Sequence, residues 1–168
     1  MSLAFRLIAI AASCLVIWSA AASRAAEHVR RPVSSVVPGA VVSQAFGCTA
    51  VQLEPFDPLC PTRHVHTGVD LAAPAGTPVY AATAGRARVG YDAAGAGLYI
   101  SVVYDERVRI LYCHLLEARV ATGTNVAVGD LIGLVGSTGL STGPHVHFEV
   151  QVDGRSIDPV AWLDSPGP

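Results

Sequence analysis

The chain is 168 residues long, 51% hydrophobic and 14% charged, with a formal net charge of -2. That length suits one domain with one core, about 140 residues remaining once an apolar leader is set aside. All eleven basic residues are arginines, and so balanced a charge offers neither a phosphate-binding surface nor a polybasic membrane patch, which argues against nucleic acid as a partner.

Residues 1–25 read as a signal peptide. Behind Arg6 runs LIAIAASCLVIWSAAAS, apolar and ending in small residues, with cleavage fitting after Ala22 or after Ala25. An uncleaved anchor is the second reading, but the run falls short of the roughly 20 apolar residues of a spanning helix. A lipoprotein cut before Cys14 is the third, and it lacks a large aliphatic residue three positions upstream. Export places the mature protein in the periplasm, outside the cell or at its wall, without stable membrane insertion, and as a monomer.

Residues 26–40, ending in EHVRRPVSSVVPGA, are polar, proline-containing and aperiodic, the composition of a linker. A single domain is expected over 41–164. Its short β-branched or alternating segments, TPVYAA, RARVGY, LYISVVY, RVRILYCHL, LIGLVG and HVHFEVQV, are divided by Gly, Pro, Asp and Asn. No helical stretch of useful length follows the leader, so the fold class is all-β and mainly antiparallel. A weak rhyme links GTPVYAATAGRARVG with GTNVAVGDLIGLVG, of a kind common in proteins built from hairpins.

Cys14 leaves with the leader. Cys48 and Cys60 bracket TAVQLEPFDPL, an irregular loop with two prolines, and in an oxidising compartment they are expected to pair, with a loop-closure stabilisation of roughly 3 kcal/mol. Cys113 is left over as a buried, inert thiol, with Tyr112 and His114 on the opposite face of its strand.

Five of the six histidines fall in RHVHTGVD, YCHLL and GPHVHFE. Strand alternation in HVHFEV puts His145, His147 and Glu149 on one face, at successive positions about 6 to 7 Å apart. Imidazoles without partners are costly to bury, so that face reads as a metal or catalytic site. His66 and Asp70 would stand roughly 13 Å apart on a straight strand, but Gly68 between them can bend the chain and bring both side chains to one centre. His64 reads as a surface histidine, and His28 in the linker receives no role. Thr142, Gly143 and Pro144 form the turn that presents His145.

HTGVDLAAPAGTPVYA, then LYCHL, then VAVGDLIGLVGSTGLSTGPHVHFEV, in this order and spacing, resembles the lysostaphin-like (LytM-type) zinc endopeptidases that cut peptidoglycan peptides. The resemblance spans about residues 42–162. It implies a compact β-sandwich or barrel-like hybrid domain, one zinc ion per chain held by His66, Asp70 and His147, and catalytic histidines at His114 and His145. Two imidazoles and one carboxylate form a common catalytic zinc set that leaves one position open. No His-Glu-x-x-His helix is present, so histidine rather than glutamate is the expected proton acceptor. Glu149 reads first as a solvated or structural carboxylate, with orientation of the second nitrogen of His147 as the alternative. Some relatives carry an assisting tyrosine before the first ligand, and none stands between Val51 and Thr67. No cell-wall targeting module is expected after residue 168.

The expected function is a secreted zinc endopeptidase acting on peptidoglycan stem peptides or cross-links. One alternative is a catalytically inactive relative that binds and activates a cell-wall amidase, although such proteins lose ligands and all five site residues are present here. A lipoyl- or biotinyl-carrier barrel is excluded because the chain has no lysine to carry the cofactor. A zinc-binding protein without hydrolytic activity would leave His114 and His145 without purpose.

Overall fold

The computed structural model describes residues 30–165. The expected signal peptide, Cys14 and His28 lie outside these residues. In chain order the strands are β1 (Val41–Gln44), β2 (Gly47–Thr49), β3 (His64–His66), β4 (Val69–Ala72), β5 (Pro78–Tyr80), β6 (Gly85–Asp92), β7 (Gly97–Val103), β8 (Val108–Leu115), β9 (Glu117–Ala118), β10 (Asn125–Val126), β11 (Leu131–Leu134), β12 (His145–Val152) and β13 (Arg155–Ile157). The main sheet runs β1-β4-β12-β8-β7-β6-β10, with β13 also paired to β12. A smaller sheet, β5-β11-β9, and the pair β2-β3 complete the architecture. Every pairing is antiparallel, as the alternating segments lead one to expect.

Alternation along β12 decides which side faces the core. Val146, Phe148 and Val150 are buried with Ile110 and Tyr112 of β8, Ile100 and Val102 of β7, and Val79 and Ile132 of the smaller sheet. Each large apolar side chain removed from water there contributes roughly 1.5–3 kcal/mol. The Tyr112 and Phe148 rings meet at 5.3 Å, and the buried Tyr112 hydroxyl accepts the Ala82 amide at 2.9 Å. The other face of β12 is left for His145, His147 and Glu149.

Two features differ from the sequence reading. Within the segment read as a linker, Val33–Ser35 form a 3-10 turn, and Val36 and Val37 are buried members of the core. Their apolar pair, flanked by polar residues, is too short to register as a periodic element. A six-residue helix, α1 (Pro159–Asp164), closes the domain, capped by the Asp158 carboxylate on the amides of Val160 and Ala161. The Arg30 guanidinium lies 3.7 Å from the Trp162 ring centroid and donates to the Trp162 carbonyl, joining the two ends of the described chain.

The rhyming segments pair with each other. β5 of the first lies against β11 of the second, and β6 of the first against β10 of the second. Ala81 and Gly129 continue the exchange through the Ala81 amide to Asp130 and the Gly129 amide to Ala81.

Candidate metal centre

The site begins as a row across the main sheet. In register, Gln44 of β1 stands opposite Asp70 of β4, Asp70 opposite His147 of β12, and His147 opposite Cys113 of β8. Directly opposed residues on antiparallel strands have Cβ atoms about 4.5–5.5 Å apart, so the sheet itself brings Asp70 and His147 together. His66 arrives by the expected bend: β3 ends at His66, the chain turns at Gly68, and β4 starts at Val69. A Cβ on Gly68 would fall 2.5 Å from the Phe148 carbonyl oxygen and 2.9 Å from His147 Nε2. The glycine is thus required for the close approach of the bend to the His147 ring.

His66 Nε2, Asp70 Oδ1 and His147 Nδ1 converge. They are separated by 3.1 Å between His66 and Asp70, 3.0 Å between the two imidazoles, and 3.1 Å between His147 and Asp70. Each imidazole is turned by its other nitrogen. His66, fully buried, donates from Nδ1 to the Ala45 carbonyl at 2.9 Å, which leaves Nε2 to face the centre. His147 Nε2 lies 3.3 Å from Glu149 Oε2, so the buried Glu149 takes the orienting place that the sequence reading held as its alternative. Glu149 is held in turn by Ser156 at 2.6 Å, Gln151 at 2.7 Å and Thr67 at 3.0 Å. Two imidazoles, one carboxylate and an oriented second nitrogen fit a zinc ion with an open position.

His114 and His145 stand beside this set with ring centroids 4.7 Å apart. His114 Nδ1 donates to the Thr138 carbonyl at 2.8 Å, and His145 Nδ1 to the Gly143 carbonyl at 2.8 Å, as the turn over 142–144 was expected to arrange. A carbonyl only accepts, so each ring carries a proton on Nδ1 and leaves its Nε2 for the cleft. His145 Nε2 lies 3.7 Å from Asp70 Oδ1. Asp70, His114, His145 and His147 line one cleft of about 320 Å³, and the fully buried His66 reaches Asp70 and His147 from beneath its surface.

His114 reaches the cleft through unusual backbone. Its φ is +62°, a left-handed conformation that costs a non-glycine residue roughly 1–2 kcal/mol. A regular strand would put Cys113 and His114 on opposite faces. The kink brings both to the cleft lining, which corrects the expected placement of Cys113 away from His114. Cys113 is nonetheless a buried free thiol, and burial pushes its pKa up to about 12, followed by the charges of Glu149 and Asp70.

Burial and charge set the protonation of the group. Burial alone would raise the Asp70 pKa, but hydrogen bonds from His147 and His66 hold it far below the usual carboxylate range. Burial likewise works against an ionised Glu149, yet His147, Ser156 and Gln151 keep its pKa at about 2. For His147 burial disfavours the cation, while Asp70 and Glu149 outweigh it and raise the pKa to about 9. His114 goes the other way: burial first, then the neighbouring His145 and His147, lowers its pKa and keeps it neutral, with the Thr138 carbonyl opposing. Metal uptake through His147 Nδ1 must displace a proton held below about pH 9. Near pH 7 uptake is expected to release close to one proton, and affinity to weaken about tenfold per unit of falling pH. Calorimetry in buffers of different ionisation enthalpy measures this directly, and a release of zero contradicts it.

Sequence reasoning missed two cleft residues, Gln44 and Glu54, while His64 stands outside the metal group as expected, though half-buried rather than on the surface. Gln44 Nε2 donates to Glu54 Oε1 at 2.9 Å, and the half-buried His64 donates from Nδ1 to the Glu54 carbonyl at 2.8 Å. The only available signal was that Glu54 lies inside the Cys48–Cys60 bracket. That disulfide is present, with Cα atoms 5.4 Å apart.

The family model described as Peptidase family M23 matches residues 64–159. The DD-carboxypeptidase/endopeptidase Mpg of Neisseria meningitidis is 42% identical over 104 residues, covering 62% of this chain and 24% of that protein. The catalytic domain of the antimicrobial peptidase lysostaphin from Staphylococcus simulans matches with a TM-score of 0.65 at 29% identity, over 80% of this chain and 100% of that one. A zinc containing peptidase from Vibrio cholerae matches with a TM-score of 0.64 at 30% identity, over 78% of this chain and 40% of that one. The chain spans about a quarter or less of the length of the first curated relatives it matches.

Proposed function

The chain belongs to peptidase family M23, a family of zinc metallopeptidases, and from that membership we propose that it is a zinc-dependent endopeptidase that hydrolyses peptide bonds of peptidoglycan. The observation that carries the reading is the convergence of His66 Nε2, Asp70 Oδ1 and His147 Nδ1 at 3.0–3.1 Å beside the paired rings of His114 and His145. Action on peptidoglycan puts the protein in the periplasm or at the cell surface, in agreement with the leader expected over 1–25. Relatives named peptidoglycan DD-endopeptidase in Vibrio cholerae support this substrate class.

His66, Asp70 and His147 would hold the zinc ion. Bound there, zinc supplies Lewis acidity, lowering the pKa of a water to about 7 and polarising the scissile carbonyl. The chain's own groups do the rest. His114, kept neutral by burial, takes the proton of the attacking water on Nε2. His145, carrying a second proton taken from solvent on Nε2, would hydrogen-bond the developing oxyanion and deliver that proton to the leaving amine, while the proton gained by His114 returns to solvent. Glu149 fixes the orientation of the His147 ring.

The test is digestion of defined peptidoglycan fragments by the purified protein, read by mass spectrometry. The zinc-loaded chain is expected to release products with a new amino terminus, and a chelator to stop the release. A zinc-loaded chain that cleaves no fragment overturns the reading in favour of a binding role, such as activation of an amidase.

A further inference from the structure

The disulfide-closed loop carries a carboxylate into the metal cleft. Glu54 Oε1 lies 4.0 Å from His66 Nε2, and the side chain lines the same cleft as Asp70, His114, His145 and His147. It is fixed from several directions. Gln44 Nε2 donates to that same oxygen, His64 holds the Glu54 carbonyl, and the Val65 amide donates to the Pro55 carbonyl at 3.0 Å. Cys48 and Cys60 close the loop on either side.

Distance separates two roles for this oxygen. Two ligands of one tetrahedral zinc ion with bonds of about 2.0–2.1 Å stand about 3.3 Å apart. His66, Asp70 and His147 are near that spacing, whereas Glu54 stands outside it. An ionised carboxylate in such a place accepts hydrogen bonds and repels anions. A water that attacks a carbonyl has two hydrogens to be held, and His114 Nε2 accounts for one. Resting on the hydrolase reading of this same site, we propose that Glu54 accepts the second hydrogen, orienting the attacking water, and that its charge keeps anions from the free coordination position. The loop bounded by the disulfide is then the arm that presents Glu54.

The test uses the full-length chain loaded with cobalt(II) in place of zinc and titrated with azide, followed by visible absorption. Glu54→Gln is expected to bind azide roughly tenfold more tightly than the unsubstituted chain, because one repelling charge near the anion is gone. The azide-free spectra of the two proteins are expected to superimpose. On peptidoglycan fragments with zinc, Glu54→Gln is expected to lower kcat at least about tenfold with KM unchanged, and Glu54→Asp to fall between. Equal azide affinity overturns the placement of the charge, and a changed azide-free spectrum overturns it by making Glu54 a ligand. An unchanged kcat overturns its part in orienting the water. If the unsubstituted chain cleaves no fragment while the azide contrast persists, the peptidoglycan reading fails and the placement of Glu54 stands; failure to take up cobalt overturns both.

Discussion

His147→Ala protein, loaded with one equivalent of zinc and desalted, is expected to retain almost no metal and no measurable turnover. Loss of a group that merely supports a ligand costs about 10- to 100-fold in affinity or activity, so loss of one of three ligands must cost more. The fold is expected to survive. Glu149 loses its contact with His147 but keeps Ser156, Gln151 and Thr67, so the buried carboxylate is not stranded. Circular dichroism checks folding and elemental analysis checks metal. A variant that folds, lacks His147 and still cleaves peptidoglycan fragments would falsify the ligand assignment.

The second large effect separates metal binding from catalysis. His114→Ala is expected to bind zinc in the same stoichiometry while kcat falls by roughly 10²–10⁴, the usual contribution of a positioned acid or base. Its imidazole Nδ1 is engaged by Thr138, and the shared metal-facing trio does not include it. In the unsubstituted protein burial lowers the His114 pKa, so the neutral, proton-accepting form persists to lower pH than for an ordinary imidazole. The acidic limb of kcat/KM is therefore expected below the usual imidazole range and absent from the variant's residual activity. Zinc loss in His114→Ala reassigns this residue from proton acceptor to ligand.

Much of the fold and site is legible in the sequence because alternation fixes direction. HVHFEV states which side chains share a face, and the register of β4 and β12 then gives Asp70 and His147 adjacent positions. The bend at Gly68 follows from two metal-ligating residue types too far apart on a straight strand. What stays hidden lacks a period. Glu54 lies in irregular chain whose path is set by a disulfide and by backbone contacts to β3. The approach of His114 depends on a left-handed residue, and a histidine in the sequence gives no warning of that backbone. Val36 and Val37 are two apolar residues among polar ones, and only the groove they fill distinguishes them from a linker. The six-residue helix is similarly invisible to periodicity, although Asp158 followed by Pro159 is a start signal.

The mutual pairing of the rhyming segments bears on how this β-domain is assembled. β6 already pairs with β7 and β11 with β9, but β5 meets its partner β11, and the second edge of β6 meets β10, only once a long intervening stretch of chain has been drawn closed. Closure entropy is spent before the ladder returns anything, which leaves a half-made small sheet uphill of both the open and the finished forms. That corner of the molecule accordingly zips and frays as one unit, and a lesion in either arm is felt in both.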